Sequence, residues 1–180
     1  DLHTGSDHRA NLPQIRSNLD DPETRRLSEV FGASLMIHAK LRDGSLRQAA
    51  TETGARVLLY EGGEAWRFDS NAINAGVIGI RRILSYLHIT AEETVPSGSM
   101  PPESRSSTWI RARRSGIALL ESDLGDTVIS GQQLGAVYDS VGRRLSRIVT
   151  PKSGLVIGLI KQPLVNQGDA IVHIAEVNAR

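Results

Sequence analysis

The chain has 180 residues, and 21 Lys+Arg against 20 Asp+Glu give a formal net charge of +1. No global basic field therefore points to nucleic acid, and no acidic excess points to disorder. Hydrophobic residues at 39% and charged residues at 23% are those of a soluble globular protein of one large or two small domains, and the absence of cysteine excludes a disulfide framework, a thiolate zinc site and a cysteine nucleophile.

No apolar run approaches the roughly 18 residues of a membrane span, and no signal peptide opens the chain. Asp1 in place of Met reads as a processed product, a fragment or an excised domain. Asp1-Leu2-His3-Thr4-Gly5 reads as a strand that runs into a polar loop, the place where α/β proteins put their sites. Arg9-Ala10-Asn11-Leu12-Pro13-Gln14-Ile15-Arg16 follows as part of that loop. Asp21-Pro22-Glu23 opens a helix with an N-cap, a first-turn proline and an acid, and the helix ends at Gly32. Leu35 to Ala39 is a strand, Ser45 to Thr53 a short helix and Arg56 to Tyr60 a buried strand. Ser70 to His88 is the clearest helix, with Ile73, Val77, Ile80, Leu84 and Leu87 on one apolar stripe.

Ala91 to Thr108 holds three Pro and five Ser, which is linker composition. Beyond it, short alternating runs between Gly, Asp, Pro and Asn read as all-β. This half repeats itself: Ser115-Gly116-Ile117, Val128, Gly131, Leu134 and Val137 align with Ser153-Gly154-Leu155, Val165, Gly168, Ile171 and Ile174 at an offset of 38 and then 37 residues. Two such copies suit a small barrel or sandwich interlocked by a pseudo-twofold.

Three segments can carry chemistry. His3, with Asp1 nearby to orient it, is either a zinc ligand or a hydrogen-bonded His at a strand end. Arg9, Asn11 and Arg16 either fork onto a substrate carboxylate or form a solvated loop. Glu61, at the end of a buried strand and followed by Gly62 and Gly63, is either a general base or a turn carboxylate, with Glu64 as its rival. His8, His38, His88 and His173 sit at no persuasive metal-ligand spacing. There is no Walker loop, Rossmann fingerprint or Gly-x-Ser-x-Gly elbow. Lys152 invites a biotin- or lipoyl-carrier reading, but its repeat equivalent is Arg114, in a strand-entry turn.

The strings DLHTG, RANLPQIR, VLLYEGGEAWRFD and AINAGVIGIRRIL, in that order, resemble the succinylglutamate desuccinylase/aspartoacylase family of zinc-dependent deacylases. They are most similar to the bacterial subgroup with a C-terminal barrel-sandwich module. The resemblance implies a partial zinc-carboxypeptidase-like α/β sheet domain over 1–90, a linker over 91–108 and an all-β barrel-sandwich, lipoyl-like domain over 109–180. It also implies a cytoplasmic hydrolase of N-acyl amino acids or related small N-acyl amines. One Zn2+ would serve each complete active site, with His3 as a ligand, Glu61 as the catalytic acid/base, and Arg9, Asn11 and Arg16 beside the substrate. The family's other two zinc ligands lie in an early His-x-x-Glu motif, and no such motif is expected anywhere in this chain, so the expectation is a fragment inactive alone. Its expected partners are a small N-acyl substrate and either the missing N-terminal half or a second copy recruited by an exposed sheet edge, with no nucleic acid and no membrane. The alternative is a non-catalytic β-barrel binding or assembly module attached to an α/β remnant.

Overall fold

The computed structural model describes residues 1–91 and 100–177. In chain order the elements are β1 (Leu2–Gly5), β2 (Arg9–Ser17), α1 (Pro22–Phe31), β3 (Leu35–His38), α2 (Leu46–Glu52), β4 (Leu59–Glu64) and α3 (Ser70–Tyr86). There follow β5 (Glu103–Arg111), β6 (Gly116–Leu120), β7 (Thr127–Val128), β8 (Gln133–Tyr138), β9 (Arg144–Val149), β10 (Gly154–Ile160), β11 (Leu164–Val165) and β12 (Ala170–Val177). The helices start where their caps dictate. Asp21 accepts from the Thr24 N–H at 2.7 Å, Ser45 from Gln48, and Asp69 from both Asn71 and Ala72. Gly32, with φ of 71°, ends α1 in the left-handed conformation that favours glycine. No helix among the described residues is long and apolar enough to cross a membrane.

Eight strands form one mixed sheet in the order β1-β4-β2-β3-β5-β12-β10-β7, and β2 pairs with β10 as well. That extra pairing closes β2, β3, β5, β12 and β10 into a five-stranded ring. Leu35 and Ile37 of β3 pack in it with Ile157, Ala175, Leu12, Leu155 and Val177. The α/β half and the β half are therefore joined by hydrogen-bonded ladders, β3 with β5 and β2 with β10. An ion pair of 2.6 Å between Arg25 of α1 and Glu103 of β5 braces the same seam. On the other side of the sheet Ile15, Phe31, Ala33 and Tyr60 form a core under α1 and α3.

The repeat is visible in the pairing. Gly154 of the second copy sits opposite Val128 of the first, and Gly116 of the first opposite Val165 of the second. Each copy thus lends its short strand, β7 or β11, to the other. A Cβ on Gly116 would collide with the Tyr138 carbonyl, and one on Gly154 with the Ala175 carbonyl, two equivalent points in the repeat.

Four expectations change. The segment read as a loop from Arg9 to Arg16 is strand β2, inside the sheet between β4 and β3. Pro13 conceals it in the sequence, but the β2–β4 register slips between Asn11 and Gln14, and such a bulge tolerates a proline. The strand expected over Arg56 to Tyr60 is displaced forward, so Glu61 lies within β4 rather than after it. Of the linker expected over 91–108, residues 92–99 lie outside the described residues, and from Glu103 the chain is strand, held by the β12 ladder rather than by apolar side chains of its own. The apolar stripe of α3 faces outward. Ile73, Val77, Ile80 and Leu87 are exposed, while Ala72, Gly76 and Gly79 are buried. Gly76 lies over the Tyr60 ring and Gly79 over the Phe31 ring, too close for any Cβ at Gly79.

Candidate active site

Strand alternation sends Tyr60 and Glu61 to opposite faces of β4. Tyr60 donates to the Ala72 carbonyl at 2.6 Å, and burial, with the Asp69 charge adding to it, pushes its phenol up to about 12. It is a structural donor. Glu61 faces the other way. Its Oε2 accepts from Arg16 Nε at 2.6 Å and from Gln14 Nε2 at 3.0 Å. Gln14 is wholly buried, and its own Oε1 has no donor among the described residues. The β2 bulge between Asn11 and Gln14 lets Arg9 and Asn11 line the same cavity as Arg16. Gly63 sits opposite Asn11 at φ of 71°, and Gly62 lies where a side chain would meet Pro13 and the Tyr60 hydroxyl.

Glu61, Arg16, Arg9 and Asn11 line one polar cavity of about 410 Å³. Its far wall comes from the β half: Ser107 and Trp109 of β5 and His173 of β12. Trp109 and His173 are directly opposed in the ladder, and their rings stack at 4.3 Å and 12°. His173 is 6% exposed, with its Nε2 2.9 Å from Ser107 Oγ. Burial first, and then the charges of Arg16 and Arg9, hold its pKa down at about 4. The ring is neutral at pH 7.

His3 is registered with Glu61 across the parallel β1–β4 pair, and β1 is an edge strand of the sheet. Its imidazole is half exposed, with Nε2 3.2 Å from Asp1 Oδ2. It borders not the polar cavity but a second, apolar one of about 380 Å³ with Leu2, Tyr60, Phe68, Ile73 and Val77. Glu64 borders that cavity too and is paired with Arg67. Catalytic zinc takes three protein ligands. Among the described residues no three His, Cys, Asp or Glu side chains group so as to hold a metal ion. The donors present do not by themselves make a zinc site.

Against the expectation that no His-x-x-Glu motif occurs in the chain, one such string is present, His173-Ile174-Ala175-Glu176. On a strand, residues three apart face opposite sides. His173 engages Ser107 while Glu176 pairs with Lys152 at 3.2 Å, so it is no metal motif. His38 stands 3.7 Å from Asp20 and touches neither cavity. Gln14, Ser107, Trp109 and His173 were not singled out from the sequence. The available signal was a lone His in the apolar strand β12 and a lone Trp near the end of the serine-rich strand β5.

A strand-borne carboxylate clamped by a guanidinium therefore lies at the rim of a polar cavity whose far wall comes from the β half. Residues 1–87 match the model of the succinylglutamate desuccinylase/aspartoacylase catalytic domain, and that part of the chain belongs to the family. No curated protein sequence matches it. Among solved structures, a succinylglutamate desuccinylase/aspartoacylase from Rhodobacter sphaeroides is 19% identical with a TM-score of 0.82, over 99% of this chain and 57% of that one. The ectoine utilization protein EutE (DoeB) from Ruegeria pomeroyi, in a product-bound structure, is 19% identical with a TM-score of 0.84, over 97% and 56%. A succinylglutamate desuccinylase from Silicibacter sp. TM1040 is 18% identical with a TM-score of 0.83, over 99% and 57%. At these identities the likeness is one of fold, and the chain spans a little over half the length of these structures.

Proposed function

We propose that this chain carries the acid/base part of a cytoplasmic, zinc-dependent hydrolase of N-acyl amino acids or related small N-acyl amines. The observation that supports this best is the Glu61 carboxylate, aimed by Arg16 and Gln14 at the rim of a cavity with two guanidinium groups, in a chain whose family is named for desuccinylase and aspartoacylase activity. Glu61 takes the proton of the attacking water and returns it to the leaving amine. Arg9 and Asn11 receive the polar end of the substrate. Arg16, already paired with Glu61, fixes the carboxylate's orientation and leaves its remaining N–H groups to the substrate. A zinc ion, if bound, would supply an acidified water. His3 would be one of the residues to hold it, ligands beyond the described residues would complete the set, and the described residues alone would not turn substrate over.

The test is Glu61→Gln in the full-length protein, with turnover and zinc content both measured. A fall in turnover of about 10² or more at unchanged zinc is expected for loss of a general base; unchanged turnover removes Glu61 from the mechanism. The second reading, an assembly module, is favoured by the exposed apolar stripe of α3. A full-length protein that binds no zinc and associates through that face would establish it instead.

A further inference from the structure

We propose that Trp109 and His173 form a positioning column that aims Arg9 into the polar cavity, so that the β half of the fold makes the site selective for a ligand bearing a carboxylate. The inference deepens the hydrolase reading and rests on it only for which bond reacts.

Arg9 differs from the other arginines of the ring strands and their seam in having no close acceptor among the described residues; Arg111 donates to the Gly168 carbonyl at 2.8 Å. Arg16 pairs with Glu61, Arg25 with Glu103, and Arg105 with Asp20 and Glu103. Arg9 meets no carboxylate among the described residues. Its one side-chain hydrogen bond is a long 3.4 Å contact to Ser6 Oγ, and its Cζ lies 5.2 Å from the centre of the Trp109 ring. A guanidinium over an indole face is held by the ring's quadrupole while its N–H fork stays open to a planar anion. The cavity therefore holds two guanidinium charges against one carboxylate.

Trp109 is fixed in turn. His173 backs its ring in a near-parallel stack and is anchored by Ser107. Because His173 stays neutral, the column adds no charge that would repel Arg9. Gly158 of β10 lies between the two sides, registered with Asn11 on β2 and with His173 on β12. A Cβ there would press on Asn11 Oδ1, His173 Cβ and the Trp109 ring at 3.0 to 3.3 Å. The glycine lets Asn11 and the stack approach the same floor. Carboxylate recognition by Arg is bidentate, so the angle of the guanidinium matters as much as its charge, and that angle is what the column sets.

The experiment uses the 180-residue chain with Trp66→Phe, which removes the exposed second tryptophan and leaves Trp109 as the sole indole reporter. Succinate and its uncharged analogue succinamide are titrated at matched ionic strength, following Trp109 emission, and calorimetry gives the affinity of every variant. The expected result is saturable succinate binding with no succinamide binding. Arg9→Gln weakens it about tenfold or more, and Arg9→Lys does not restore it, because an ammonium lacks the fork. Trp109→Leu reproduces the Arg9→Gln loss, and Trp109→Phe retains most of the affinity at an unchanged melting midpoint, which a purely structural role for the ring would not produce. Succinamide binding as well as succinate, full affinity in Arg9→Gln or Trp109→Leu, or no saturable signal would each overturn the inference. None of these outcomes depends on turnover, so failure here and failure of the Glu61 test are distinguishable.

Discussion

Arg16 Nε lies 2.6 Å from Glu61 Oε2, and this contact joins β2 to β4 at the point where the polar cavity begins. Both side chains are mostly buried, at 25% and 18% exposure, so removing one partner leaves the other poorly solvated. Arg16→Met is expected to cost about 1–3 kcal/mol, the penalty for stranding a buried polar group. Glu61→Gln should cost less, since Gln14 and Arg16 can still donate to an amide oxygen. Urea unfolding of both variants and the double mutant measures the coupling. Additive costs would show that the contact does not organise the site.

His173 predicts how stability depends on pH. Its folded pKa is held at about 4 against an ordinary 6.5. Between those values the unfolded chain binds a proton that the folded chain refuses. The stabilisation is therefore complete above pH 6.5 and is lost as pH falls toward 4, by up to about 3 kcal/mol at 1.36 kcal/mol per pKa unit. The carboxyls held low by their neighbours, among them Asp20 beside Arg105 and Glu103 beside Arg25, act only below their ordinary values of 3.8 and 4.5. The upper part of the window belongs to the imidazole. Urea unfolding from pH 7.5 to 4.5 should show the slope in the native chain and a flatter profile in His173→Gln; equal slopes would remove His173 as its source.

The α3 surface yields a contrast between a glycine and its apolar neighbours. Gly79→Ala drives a methyl into the Phe31 ring and is expected to cost about 1–3 kcal/mol as overpacking. Phe31→Leu in the same chain should recover part of that loss. Val77→Ser on the exposed stripe should change stability by about 0.5 kcal/mol or less. Thermal melts of the three variants decide it, and a larger loss from Val77→Ser than from Gly79→Ala would mean the stripe is the packed face.

That contrast also shows what the sequence could and could not reveal. Helix caps are local chemistry, and Asp21-Pro22, Gly32 and Ser45 are where the residues say they should be. The repeat was legible too, because Gly116 and Gly154 recur at a fixed offset and do the same steric work. Periodicity identified α3 but not its buried side, since Gly76 and Gly79 buy closeness to aromatic rings and carry no hydropathy signal. Strand β2 was hidden by Pro13, and the start of β5 by its serines, because both are held by neighbours distant in sequence. For the site, residue type pointed to Glu61, Arg9, Asn11 and Arg16. The wall made by Trp109 and His173 depends on the pairing of two residues 64 apart in the chain, which no local pattern encodes.

Ring closure has a consequence for cooperativity. β2 and β3 come from the first half of the chain and β5, β10 and β12 from the second, and Leu35 and Ile37 share one core with Ile157 and Ala175. Neither half can bury that core alone. Urea unfolding followed by Trp109 emission in the Trp66→Phe chain and by far-ultraviolet circular dichroism should therefore give one coincident transition. Residues 107–180 alone retain the β6–β8–β9 meander and the β5–β12–β10 ladder but lose β2 from the free edge of β10 and β3 from the apolar lining. That shorter chain should melt broadly and at lower denaturant, whereas a sharp transition at the midpoint of the intact chain would mean that the β half does not need the ring.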